Sequence, residues 1–139
     1  MSDPQILVVP RSIWEEMRKQ VSRLAPEEAC GMLAGRAAAV DRVLPVTNRV
    51  HSPSRFEMDP QEQVNAFLEI EAAGLDLLAI YHSHPLGPPF PSPTDQEEFL
   101  YPGVLYLIWS PAGAHREGWG ARMFSLDGGT VGAVAVEVR

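Results

Sequence analysis

Two histidines separated by one residue, in His82-Ser83-His84-Pro85, are the side chains of this sequence whose types and spacing point first to chemistry. At a strand's end, residues i and i+2 face the same side, so one metal ion could take a nitrogen from each. Taken alone, His-x-His reads equally as two half-exposed loop histidines. Asp95 follows a proline-stiffened loop at the predicted start of a helix, where its carboxylate could return to the same point as a third ligand. Standing alone, it is equally a favourable charge at the positive end of a helix, three residues after an N-cap serine. Together, two imidazoles and one carboxylate form a typical ligand set for catalytic zinc. The fourth place is left to water, whose pKa the metal lowers toward neutrality.

Such a water needs a base. Glu28 opens the small, apolar run Ala29-Cys30-Gly31-Met32-Leu33, and a glutamate held beside such a strand has its proton affinity raised by desolvation. From the residues alone, Glu28 reads as a solvated turn residue after Pro26, with Glu27 beside it as a rival carboxylate.

The elements that must place these residues are short, because prolines and glycines punctuate the chain. Gln5 to Val9 reads as a strand. Ser12-x-x-Glu15 then predicts a capping box opening a helix that turns Ile13, Met17, Val21 and Leu24 inward and ends at Pro26. Ala29 to Ala34 and Ala37 to Val46 predict adjacent strands joined by a tight turn, with Glu28 at the mouth of the first. Asn48 to Asp59 reads as a loop, and Pro60 as the first turn of a helix carrying Val64, Phe67, Leu68 and Glu71 up to Gly74. Leu75 to Tyr81 is apolar enough for a central strand covered on both faces, and it delivers the histidines. After the loop from Leu86, Ser92 as N-cap and Pro93 as first helical residue start a short helix through Leu100, with Asp95 in its first turn. Val104 to Ser110, Trp119 to Leu126 and Thr130 to Val138 complete the strands, the last two joined through Asp127-Gly128-Gly129. The expectation is an α/β fold in one domain: a mixed β-sheet flanked by helices as a sandwich, a short helix near its active edge.

Composition narrows the alternatives. With 139 residues, of which 45% are hydrophobic, the chain can bury one core without disulfides, and its single cysteine could form none internally. The absence of a signal-like or membrane-length apolar run predicts a cytoplasmic protein with no membrane partner. A net charge of −7 opposes binding to a phosphate backbone, so no nucleic acid partner is expected.

With those elements in place, the order Glu28-x-Cys30-Gly31-x-Leu33-x-Gly35, His82-Ser83-His84-Pro85, Ser92-x-x-Asp95 resembles the signature of the JAMM (MPN-plus) zinc metalloproteases of the small prokaryotic type. The stretch from Phe56 to Tyr81 also resembles the helix and strand preceding that signature in bacterial members. The resemblance implies a cytidine-deaminase-like JAMM/MPN fold over residues 1–139, with one zinc ion on His82, His84 and Asp95. It gives acid/base work to Glu28, which has the required offset from Gly31, and oxyanion stabilisation to Ser92, a role that competes with helix capping. The implied reaction is hydrolysis of a peptide or isopeptide bond after the C-terminal tail of a ubiquitin-like protein, with sulfur-carrier proteins the preferred class. Because the fold also has metal-free members, a non-catalytic scaffold is the alternative, against which the intact ligand set stands.

The remaining candidates carry no chemistry. His51 and His115 lack partner spacing, Cys30 reads as a packed core thiol, and Tyr106, Trp109, Trp119 and Phe124 read as core or sheet-face aromatics. A zinc nucleoside deaminase needs Pro-Cys-x-x-Cys, which a chain with one cysteine cannot supply.

Overall fold

The computed structural model of the chain describes residues 6–99, 101–111, 118–126 and 129–139. Gln5, Leu100, His115 and the Asp127-Gly128 part of the expected hairpin turn lie outside the described residues. Strand β1 (Ile6–Val9) runs directly into helix α1 (Arg11–Leu24), followed by β2 (Cys30–Arg36) and β3 (Ala39–Val46). Helix α2 (Pro60–Ala72), strand β4 (Asp76–Ser83), helix α3 (Pro93–Glu98) and strands β5 (Leu105–Ser110), β6 (Gly120–Ser125) and β7 (Gly132–Val138) complete it.

The strands form one mixed sheet in the order β1-β3-β2-β4-β5-β6-β7, and its two ends meet. Closure comes from β1, which pairs in parallel with β7 from Ile6↔Ala135 to Val9↔Val138 and touches β3 at Val8↔Ala39. The expectation of a mixed sheet with helices holds, but the sheet curls shut instead of lying open between two layers. The cause is contact between the first and last strands, which no local pattern encodes.

Strand alternation divides the core in two. Leu33, Ala79, Tyr81, Leu107 and Trp109 face α1 and pack with Ile13, Trp14, Met17 and Val21. Met32, Ile80, Tyr106 and Ile108 face the other way, against Ala66 and Ile70 of α2. His82 has the parity of Ile80 and therefore belongs to the α2 face, at the end of the central strand.

One local expectation is corrected. Ser12 is not an N-cap: α1 starts at Arg11 behind Pro10 with no side-chain cap. The Arg11 N–H donates instead to the Arg139 carbonyl at 2.8 Å, and Ile13 and Trp14 N–H groups go to Pro10. In α2, Val64 and Leu68 are 51% and 58% exposed, while Ala66 and Ile70 are buried. Small Ala66 lets the helix approach the sheet closely, which turns the bulkier pair outward and leaves Phe67 at the margin of the core. The expected tight turn between β2 and β3 is present, with Ala37 and Ala38 at φ of 51° and 62°.

Candidate metal centre and active site

Each candidate side chain is placed by an element end. The N–H of Ser83 donates to the Ala29 carbonyl, and the Ala29 N–H donates to Ser83 Oγ at 2.8 Å, so the start of β2 is tied to the end of β4. Beyond β4, the His84 N–H donates to the Trp109 carbonyl at 2.8 Å, which keeps the chain extended and puts both imidazoles on one side. Ser92 and Asp95 form a reciprocal capping box at the start of α3: Asp95 N–H donates to Ser92 Oγ at 3.0 Å, and Ser92 N–H donates to Asp95 Oδ2 at 2.9 Å. The box aims the Asp95 carboxylate at the histidines.

The result is a tight convergence. His82 Nε2 and His84 Nε2 lie 2.9 Å apart, and Asp95 Oδ2 lies 3.4 Å from the first and 3.0 Å from the second. Donor atoms sharing a tetrahedral zinc at bonds of about 2.0 to 2.1 Å lie roughly 3.3 Å from one another, so these separations fit such an ion. His84 Nδ1 is 2.8 Å from the Pro88 carbonyl and donates to it, which leaves the Nε2 lone pair for the centre. Glu28 completes the group, its carboxylate and both imidazoles offering ligand atoms within 4.8 Å of one another.

Electrostatics sort the four residues. Burial pushes the Glu28 carboxyl from its ordinary 4.5 to about 8, with His84 opposing and Asp95 adding to the rise. Glu28 is 4% exposed, and among the described residues its Oε1 has no hydrogen-bond partner. Burial works against the charged form of Asp95, but hydrogen bonds from His82, His84 and the Ser92 N–H outweigh it and hold the carboxyl well below its usual range. Burial lowers the His82 pKa. In His84 burial acts in the same direction, but the Asp95 carboxylate and the Pro88 carbonyl outweigh it and raise the pKa. The centre thus holds one carboxylate kept ionised, imidazoles facing it, and one carboxyl able to hold a proton near neutral pH.

All five candidate residues, Glu28, His82, His84, Ser92 and Asp95, therefore come together. The cleft beside them is lined by Glu28, His84 and Ser92, with Leu86 and Phe90 of the proline-rich loop exposed at its rim. Glu27 turns away and pairs with His51 at 2.9 Å on the surface. Cys30 is buried, and burial pushes its thiol up to about 12. Sequence reasoning missed Phe56, whose ring stacks on His82 at 4.6 Å, and Asn48, whose carboxamide donates to the Glu28 carbonyl. Both lie in a stretch legible only as a loop, and their partners are remote in sequence.

Among proteins of known name, the chain is 44% identical over 109 residues to a probable TtuB-protein conjugate cleaving protease of Thermus thermophilus, covering 78% of this chain and 72% of that one. It is 43% identical over 105 residues to a desampylase of Haloferax volcanii, covering 73% and 76%. Among solved structures, the solution structure of protein DSY2949 from Desulfitobacterium hafniense superposes with a TM-score of 0.84 at 32% identity, covering 97% of this chain and 93% of that one. The family model for prokaryotic homologues of the JAB domain matches residues 10–124, and the chain belongs to that family.

Proposed function

We propose that this chain is a zinc-dependent hydrolase that cuts the peptide or isopeptide bond following the C-terminal tail of a ubiquitin-like protein of the sulfur-carrier class. The observation that carries the reading is the meeting of His82 Nε2, His84 Nε2 and Asp95 Oδ2 within 3.4 Å, beside a buried Glu28 whose Oε1 has no partner among the described residues. The names of its relatives, a conjugate-cleaving protease and a desampylase, support the substrate class.

His82, His84 and Asp95 would hold the ion. Zinc bound there would supply Lewis-acid chemistry, acidifying water and polarising a carbonyl. Glu28, whose carboxyl burial pushes up in the ion-free chain, can take a proton from the attacking water and return it to the leaving amine nitrogen. Ser92 Oγ accepts the Asp95 N–H, and a hydroxyl that accepts one bond still has its own proton to donate, so capping and oxyanion stabilisation are compatible.

The test is incubation of the purified protein with ubiquitin-like carriers extended beyond their Gly-Gly tail, read by mass spectrometry. Cleavage after the tail that disappears with chelator is expected, and failure on every such fusion would remove the substrate assignment. Glu28→Gln should keep its zinc while turnover falls by about 10²- to 10⁴-fold. Equal activity in that variant would remove the role of Glu28.

A further inference from the structure

We propose that Asn48 is a positioning residue of this centre: its carboxamide holds both the backbone of Glu28 and the segment that lays Phe56 on His82. The proposal rests on the reading of Glu28 as acid and base. Asn48 is 4% exposed. Its Nδ2 donates to the carbonyls of Glu28 at 3.0 Å and Arg55 at 3.2 Å, and its Oδ1 accepts from the N–H groups of Glu57 at 3.0 Å and Val50 at 3.3 Å. Two carbonyls on one side and two N–H groups on the other leave only one orientation for the amide. Arg55 and Glu57 flank Phe56, so the side chain grips the backbone on both sides of the residue that stacks on His82 at 4.6 Å and 25°.

That stacking matters because the two histidines are held differently. His84 is oriented by the hydrogen bond from its Nδ1 to Pro88, whereas His82 Nδ1 is buried and has no hydrogen-bond partner among the described residues. Packing between Phe56 and Tyr106, whose ring centroid is 5.0 Å away, sets the His82 ring instead. Glu28 depends on the same loop at both backbone groups, since its N–H donates to the Ser52 carbonyl at 2.8 Å and its carbonyl accepts from Asn48. One carboxamide thereby ties the base to a metal ligand whose ring, beyond its Nε2 contacts with His84 and Asp95, is held by packing. An aspartate in its place would turn a carboxylate oxygen toward two carbonyls and lose both donors.

The test uses Asn48→Ala and the isosteric Asn48→Asp, with Phe56→Leu as reference. In the chelator-treated protein, the Phe56 ring current displaces the NMR signals of the His82 ring protons, and Phe56→Leu gives their position without it. Both Asn48 variants should move those signals toward the Phe56→Leu position while the β4 and β5 amide signals stay in place. On a cleaved carrier fusion, kcat should fall about 10- to 100-fold at unchanged zinc stoichiometry. Placed in the Glu28→Gln background, the same substitutions should cost a smaller fold-loss than in the wild type, because the part of their effect that acts through Glu28 is gone. His82 signals at their wild-type position in both variants, or an equal fold-loss in both backgrounds, would overturn the proposal. If the wild type cleaves no fusion, the substrate assignment falls separately and the ring signals alone decide for or against Asn48. Should the alanine variant fail to fold, the aspartate variant carries both readouts.

Discussion

Glu28 is a carboxyl group taken out of water with one oxygen left unpartnered among the described residues, and in the metal-free chain this has a consequence for stability. Its carboxyl titrates near 8 in the folded chain against an ordinary value of 4.5. Between those values the folded chain holds a proton that the unfolded chain releases, so its contribution is fully present below the unfolded pKa and is lost as pH rises through the folded one. Glu28→Gln has no charge to desolvate. Melting curves of chelator-treated protein should therefore show the variant gaining on the wild type from pH 5 to about pH 8 and levelling off above it, and a gap that does not change with pH would contradict the burial argument. At this scale, His82, His84 and Asp95 were legible because a two-residue spacing and a capped helix start are local patterns. Glu28 was legible only through the wider signature, since nothing in Glu27-Glu28 says which carboxylate turns inward. Asn48 and Phe56 were not legible, because an amide hub and a stacked ring are defined by contacts between distant parts of the chain.

The element that holds Glu28 is exacting about size. A Cβ on Gly31 would sit 2.3 Å from the Tyr81 hydroxyl, which itself donates to Gln20 of α1 at 2.6 Å, and a Cβ on Gly35 would sit 2.0 Å from the Ala39 carbonyl. The two glycines of the signature thus let β2 lie flat against its neighbours. Gly31→Ala should destabilise the fold by about 1 to 3 kcal/mol or more, measured by urea unfolding. A loss within a few tenths of a kcal/mol would show that the Tyr81 ring gives way freely. Element existence was readable from hydrophobic period and turn residues, and the seven strands and three helices among the described residues fall where the patterns put them. Faces and ends were less readable. In α2 the inward face belongs to Ala66 and Ile70 and not to Val64 and Leu68, and the Ser12 capping box lost to a backbone hydrogen bond that the Arg11 N–H donates to the Arg139 carbonyl, just past β7.

Across the whole molecule, the centre gathers a loop-to-strand junction, the end of β4 and the start of α3, of which the first two are already tied through Ala29 and Ser83. An ion bridging them should stabilise the fold by mass action, about 2.7 kcal/mol at a hundredfold excess over its dissociation constant. For a chain of 139 residues, chelator should then lower the melting temperature by roughly 5 to 10 °C, and His84→Ala should abolish that difference. Closure of the sheet through β1 and β7 was outside the reach of local patterning, because it joins the two ends of the sequence. Among the described residues, no helix is long and apolar enough to cross a membrane. The most direct measurement is diffraction from crystals of zinc-loaded protein on both sides of the zinc absorption edge. One anomalous peak bonded to His82 Nε2, His84 Nε2 and the Asp95 carboxylate, with Glu28 beside it, is the predicted result. No peak there, or zinc held by other residues, would contradict the assignment of the centre.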